Sequence, residues 1–357
     1  MSEPSFRVLH VVNSLGIGGT QKVMQQFVTN LNQERFKPFV FSFRDGERGK
    51  QLREQNILTY IGSDLLSVLL KLQPHIVHVH RAGWPDPNLL KPMKLAQTPI
   101  VVETNVFGRH DPSPSASIID ATLFVSHFCL DRYSQLAGFK ATAPRYRALY
   151  NPVDVDRLMA NTPKEKDYAR PIAGRISRVD PGKWSRLGFE FLPFVVRDFP
   201  DFRYHVIGGI PEAHAYVKEH DLQDNVIFLP PVSHDEEIAS FMGELSLLAH
   251  ANDTGESFGL VIAEAMACAL PVITHPCEGL KDNAQLELVD HGETGLIAKT
   301  AEEYANAIKY LLNNPDEAQR MGLNGQQKAR RLYRTQNIVS DLESIYDELL
   351  KQKGIRT

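Results

Sequence analysis

Along the chain, short apolar runs bounded by turn residues alternate with longer stretches of helical period. Residues 7–13, 39–43, 75–80, 100–104 and 121–125 read as buried strands, with helices between them. Parallel strands need crossover connections, so the alternation predicts a parallel sheet covered by helices. Near Asn151-Pro152-Val153-Asp154 the pattern breaks, and the polar stretch 160–168 (ANTPKEKDY) has no period, which marks a linker. A second series then predicts strands at 171–177, 204–208, 226–229, 246–249, 271–274 and 296–298. Helices are expected near 302–312, 315–333 and 335–352, the last with Ile338, Leu342, Ile345 and Leu349 on one face. The expected fold class is α/β, with two Rossmann-like doubly wound domains at 1–165 and 166–334 and a terminal helix in 335–357. Tandem sheets of this kind are expected to face an interdomain cleft, with closure about the 150–170 segment.

Composition narrows the function classes. A length of 357 residues fits two domains, and 43% hydrophobic with 23% charged residues describes a folded chain rather than a disordered one. A net charge of -4 carries no global signal for a nucleic-acid partner, so an anionic ligand must be held locally. The three cysteines, Cys129, Cys268 and Cys277, form no disulfide framework. The first residues lack the basic and apolar regions of a signal peptide, and no apolar run nears the roughly 20 residues that span a bilayer. A cytoplasmic location is expected. Peripheral contact with the inner face of a membrane has one candidate, the basic run 328–334, which otherwise reads as a solvated face.

The segment most informative about chemistry is GESFGLVIAEA, residues 255–265. It reads as a loop entering a helix, with Ser257 as N-cap and Gly259 letting a ligand approach the backbone. Free N–H groups and the helix dipole at such a turn suit a diphosphate. Glu256 stands before the helix and Glu264 inside it, so two carboxylates could receive sugar and ribose hydroxyls from one extended nucleotide sugar. Upstream, Gly174-Arg175 and Lys183 offer cations for phosphate oxygens. Gly18-Gly19 opens a helix after the first strand, but Gln21 stands where a dinucleotide fingerprint needs glycine, which weakens a dehydrogenase reading. His75, His78 and His80 invite a metal, but no third ligand is identifiable in sequence beside the pair that shares a strand face. Trp184 reads first as a packing anchor.

The Glu256 to Glu264 pair within ESFGLVIAEAMA, with Gly174-Arg175 and Lys183 ahead of it, resembles the signature of the family 4 retaining glycosyltransferases. The resemblance spans nearly the whole chain and implies the GT-B fold, with the final helix crossing back onto the first lobe. It implies Arg175, Lys183 and Glu256 as the catalytic set. Donor contacts would come from those three with Gly18, Gly19, Gly208, Leu229, Ser257, Phe258, Gly259, Leu260 and Glu264. No metal or other cofactor is expected, since cations stand in for one; Asp154-Val155-Asp156 has the spelling of a metal-holding motif but reads as a solvated turn. Many relatives carry His where this chain has Asn105, so Asn105 and His80 are the candidates on the acceptor side. The implied partners are a nucleotide diphosphate sugar, UDP before GDP, and a glycan or lipid-linked acceptor. A sugar-nucleotide epimerase and a catalytically silent nucleotide-sugar binder are the alternatives.

Overall fold

The computed structural model describes residues 6–163, 165–232 and 235–356, so residue 164 of the expected linker lies outside it. Its first seven strands are β1 (Phe6–Val12), β2 (Phe36–Ser42), β3 (Leu58–Ile61), β4 (Ile76–Arg81), β5 (Ile100–Asn105), β6 (Ala121–Phe124) and β7 (Tyr146–Ala148). They form one parallel sheet in the order β3-β2-β1-β4-β5-β6-β7. β4, β5 and β6 are buried at every position because helices cover both faces of a parallel sheet. The sequence pattern misses β3 and β7, which lie at the two edges; Leu58 and Ile61 of β3 are 53% and 41% exposed and carry no continuous apolar signal.

Six further strands are β8 (Ile172–Ile176), β9 (Arg203–Ile207), β10 (Val226–Leu229), β11 (Leu247–Ala249), β12 (Val272–Thr274) and β13 (Gly295–Ile297). They pair in parallel in the order β10-β9-β8-β11-β12-β13, so both sheets are doubly wound with the same reversal of strand order. The core of the second sheet is aromatic, with Phe191, Phe202, Tyr204 and Tyr304 almost wholly buried.

Two compact units result, Met1–Pro152 with Thr335–Thr357, and Val153–Arg334. The division falls ahead of the polar stretch because helix Val155–Ala160 packs on helices Asp235–Glu244 and Leu260–Ala267 of the second unit. Asp154 caps that helix by accepting from Arg157 N, and Asp156 pairs with Arg334 at 2.7 Å, so Asp154-Val155-Asp156 is a helix start rather than a solvated turn. The last helix, Thr335–Gln352, belongs to the first unit and buries Ile338, Leu342, Ile345 and Leu349.

Candidate active site

The order of the second sheet reverses between β8 and β11, and open α/β sheets take ligands beyond the carboxyl ends of two such strands. Residues 177–183 leave β8 there, and residues 250–259 leave β11. Thr254 ties the two loops by donating from Oγ1 to the Gly182 carbonyl at 2.9 Å. Lys183 ends the short 3-10 turn Pro181–Lys183, capped by Asp180, whose Oδ1 accepts from Gly182 N at 2.9 Å. Its Nζ lies 3.4 Å from Glu256 Oε2, closing 73 residues of sequence to ion-pair distance.

Glu256 is restrained through backbone and side chain alike. Its N–H donates to Gln285 Oε1 at 3.0 Å, and its carbonyl accepts from Ala284 N at 2.8 Å. Oε1 accepts from Asn252 Nδ2 at 2.6 Å and from His250 Nε2 at 3.1 Å. Burial pushes the carboxyl up, but the His250 hydrogen bond and the Lys183 charge more than reverse this and hold it at about 2. Burial pushes the His250 imidazole below its ordinary value against the pull of Glu256. A carboxylate only accepts, so Nε2 carries the proton of a neutral ring.

Because the folded-state value of Glu256 lies below that of an exposed carboxyl, its contribution to stability is complete above about pH 5 and lost as pH falls toward 2. Chemical denaturation at pH 7 and pH 3 should show the wild type losing about 2 kcal/mol more than Glu256→Gln over that interval. Equal losses in the two proteins would remove the linkage.

The structure separates the expected cation pair. Arg175 lies inside β8 with no exposed surface, its guanidinium 4.1 Å from the centre of the Trp184 ring and Nη2 donating to the Lys183 carbonyl. In this conformation it presents no atom to a ligand and acts as a brace beneath Lys183. The strand ends at Ile176, so the cation on the loop surface is Arg178, with a side chain 63% exposed and 3.6 Å from Asp180. Trp184 is the packing anchor expected, 3% exposed, with its indole N–H donating to the Gly208 carbonyl at 3.0 Å.

The helix after Glu256 starts later than the sequence suggests. It spans Leu260–Ala267, and its N-cap is Gly259, at φ +102 with no side-chain cap, rather than Ser257. The positive φ explains the glycine. Phe258 is 1% exposed and packs edge-on against Tyr333, with ring centres 5.3 Å apart, so it anchors the turn from within. Glu264 is 3% exposed on the helix, while Leu260 and Leu229 are half-buried.

In the first unit, Gly18 precedes helix Gly19–Asn30 in an extended conformation, and a Cβ there would meet only the flexible Gln21 side chain, at 2.5 Å. Asn105 is 1% exposed, and its amide closes on one backbone unit, donating to Arg109 O at 2.9 Å and accepting from Arg109 N at 3.2 Å. It braces a loop and has no face for an acceptor. His80 is 4% exposed, with Nε2 at 3.0 Å from His10 Nδ1, and burial pushes its pKa down to about 3. His10 completes a cluster with His78 and His80 whose ring nitrogens lie within 4.8 Å, the third group that sequence alone leaves unidentified. Four of the six ring nitrogens are engaged, His10 Nδ1 with His80 Nε2, and His78 with Tyr346 Oη at 2.6 Å and Thr104 Oγ1 at 2.8 Å, while His10 Nε2 and His80 Nδ1 are buried with no hydrogen-bond partner among the described residues.

Sequence reasoning does not single out His250, Asn252 or Gln285. For His250 and Asn252 the available signal was polar residues immediately beyond a fully buried strand and one short loop before Glu256; Gln285, 29 residues after Glu256, carried none.

Residues 164–328 match the family model described as glycosyl transferases group 1. N-acetyl-alpha-D-glucosaminyl L-malate synthase of Bacillus anthracis is 31% identical over 137 residues, 38% of this chain and 34% of that protein. Trehalose synthase of Pyrococcus horikoshii is 27% identical over 175 residues, 46% of this chain and 41% of that protein. The chain thus spans about a third to two fifths of these two relatives. A crystal structure of Anabaena HepE in complex with UDP and glucose superposes with a TM-score of 0.79 at 18% identity, covering 96% of this chain and all of that one. The fold is therefore GT-B, and residues 164–328 are similar to the group 1 glycosyltransferases.

Proposed function

We propose that the chain is a retaining, metal-independent hexosyltransferase, taking its sugar from a nucleoside diphosphate, UDP before GDP, and passing it to a glycan or lipid-linked hydroxyl. The observation that carries this is the Lys183–Glu256 pair at 3.4 Å beyond the carboxyl ends of β8 and β11. The complex of HepE with UDP and glucose supports the choice of UDP.

In the proposed reaction an acceptor oxygen bonds to the anomeric carbon on the face from which the diphosphate departs. The bond from that carbon to the phosphate oxygen breaks, and the acceptor's proton passes to the phosphate. Lys183 and Arg178 offset the charge gathering on the leaving group, which is the role a metal would otherwise fill. Glu256, held as an anion, accepts hydroxyl hydrogens from the sugar when Lys183 turns to the phosphates. Arg175 contributes through Lys183, whose carbonyl it holds.

The test is nucleotide release from a panel of UDP- and GDP-sugars, in EDTA, with and without crude glycan acceptors. Acceptor-stimulated release from one donor, absent in Glu256→Ala, is the expected result. Conversion of the sugar nucleotide without any acceptor would establish the epimerase instead, and binding without release under all conditions the silent binder.

A further inference from the structure

We propose that His250 and Asn252 are positioning residues for the donor sugar: both grip Oε1 of Glu256, and so aim Oε2 at the ligand. The inference rests on the donor-site reading above and deepens it.

The two carboxylate oxygens are treated differently. Oε1 receives two donors, Asn252 Nδ2 at 2.6 Å and His250 Nε2 at 3.1 Å, and both donor residues are nearly sealed from solvent, 2% and 4% exposed. Oε2 meets Lys183 alone among the described residues, at 3.4 Å, and the Lys183 side chain is 32% exposed. One oxygen is thus committed to the protein, and the other is paired with a group that can leave. A side chain with three rotatable bonds is reduced to one orientation before any sugar arrives, which removes an ordering cost from binding.

The imidazole is suited to this task in its neutral form. His250 stands directly after β11, and its Nδ1 is buried with no hydrogen-bond partner among the described residues. A protonated ring would bury an N–H with no acceptor, so the ring stays neutral and donates from Nε2 alone. The groups facing it are Glu256 and Asn252 from its own loop, with the charges of Arg175 and Lys183 from the β8 side; both cations oppose its protonation. His275 anchors the same loop from β12, its Nε2 lying 3.1 Å from Asn252 N.

Calorimetric titration with UDP and UDP-glucose, and with GDP and GDP-mannose, separates the sugar increment from nucleotide affinity without needing the acceptor. His250→Ala is expected to keep the affinity for the free diphosphate within twofold and to lose roughly tenfold for the nucleotide sugar. Its binding should also begin to weaken at a higher pH than that of wild type as the medium is acidified, because loss of the His250 hydrogen bond raises the Glu256 carboxyl. His250→Gln, whose amide N–H can reach Oε1, should recover most of the loss. Unchanged nucleotide-sugar affinity and pH profile in His250→Ala would overturn the proposal. So would equal losses for diphosphate and nucleotide sugar together with a lowered unfolding midpoint, which describe a purely structural histidine.

Imidazole nitrogen chemical shifts in the free protein decide independently whether the proton sits on Nε2, as expected, or on Nδ1, which would overturn the grip on Glu256. Wild type that binds no nucleotide sugar, or Glu256→Ala that binds one as well as wild type, would refute the donor-site reading instead, and the imidazole shifts would still report on the grip.

Discussion

Lys183→Ala is expected to lower turnover by about 10²–10³-fold while the protein stays folded. As the glycosidic bond breaks, the departing diphosphate gains negative charge, and a fixed donor or cation at such a position is worth on the order of 3–4 kcal/mol in the transition state. Lys183 is the cation best placed to supply it, at the end of a capped turn and 3.4 Å from the carboxylate proposed to hold the sugar. Its contribution to folding is smaller, because the Lys183 side chain is 32% exposed and Glu256 keeps the Asn252 and His250 hydrogen bonds when the ammonium is removed. Lys183→Arg keeps the charge but replaces a compact ammonium by a longer planar fork, so partial activity is expected. Initial rates at saturating donor, read beside the unfolding midpoint, separate the effects. A near-normal kcat in Lys183→Ala would take the cation out of the mechanism, and a large fall in midpoint would assign the residue to the fold.

The contrast between Lys183 and Arg175 shows where sequence pattern stops being informative. Doubly wound sheets were readable because buried parallel strands are mostly continuous apolar runs, as β11 is, whereas β8 carries Gly174-Arg175 within its run. Which residue of a strand is its last was not readable, since element ends are uncertain by one or two positions. That uncertainty decides the chemistry at Arg175: one residue inside the end of β8 the side chain is sealed beneath Trp184, and two residues beyond the end Arg178 is in water. The same applies to Ser257, a residue type that favours N-caps, where the chain instead spends two more residues before the helix and turns on Gly259. Asn105 was hidden for another reason. A polar residue at the carboxyl end of a strand suggests a ligand contact, but its amide matches the two backbone groups of Arg109, and only the folded loop reveals that.

Gly208→Ala is the second large effect, a loss of about 2–4 kcal/mol from the second unit. Gly208 has φ +85, a region where a side chain costs roughly 1–2 kcal/mol. The added Cβ would stand 1.9 Å from the carbonyl oxygen of Ser177, a backbone atom that cannot rotate aside. Ser177 is tied to the strand beside it, its N–H donating to Ile207 O at 3.0 Å, so relief requires moving the chain at the end of β8. That chain leads into the loop of Arg178 and Lys183, and Trp184 hangs from the Gly208 carbonyl. Stability and activity should therefore fall together. If Gly208 mattered only as a donor contact, the alanine would weaken nucleotide affinity with the unfolding midpoint unchanged, and that outcome would transfer the glycine from the fold to the ligand. Gly16→Ala supplies the control, because a Cβ there meets nothing within 4 Å and should leave stability within about 0.5 kcal/mol of wild type.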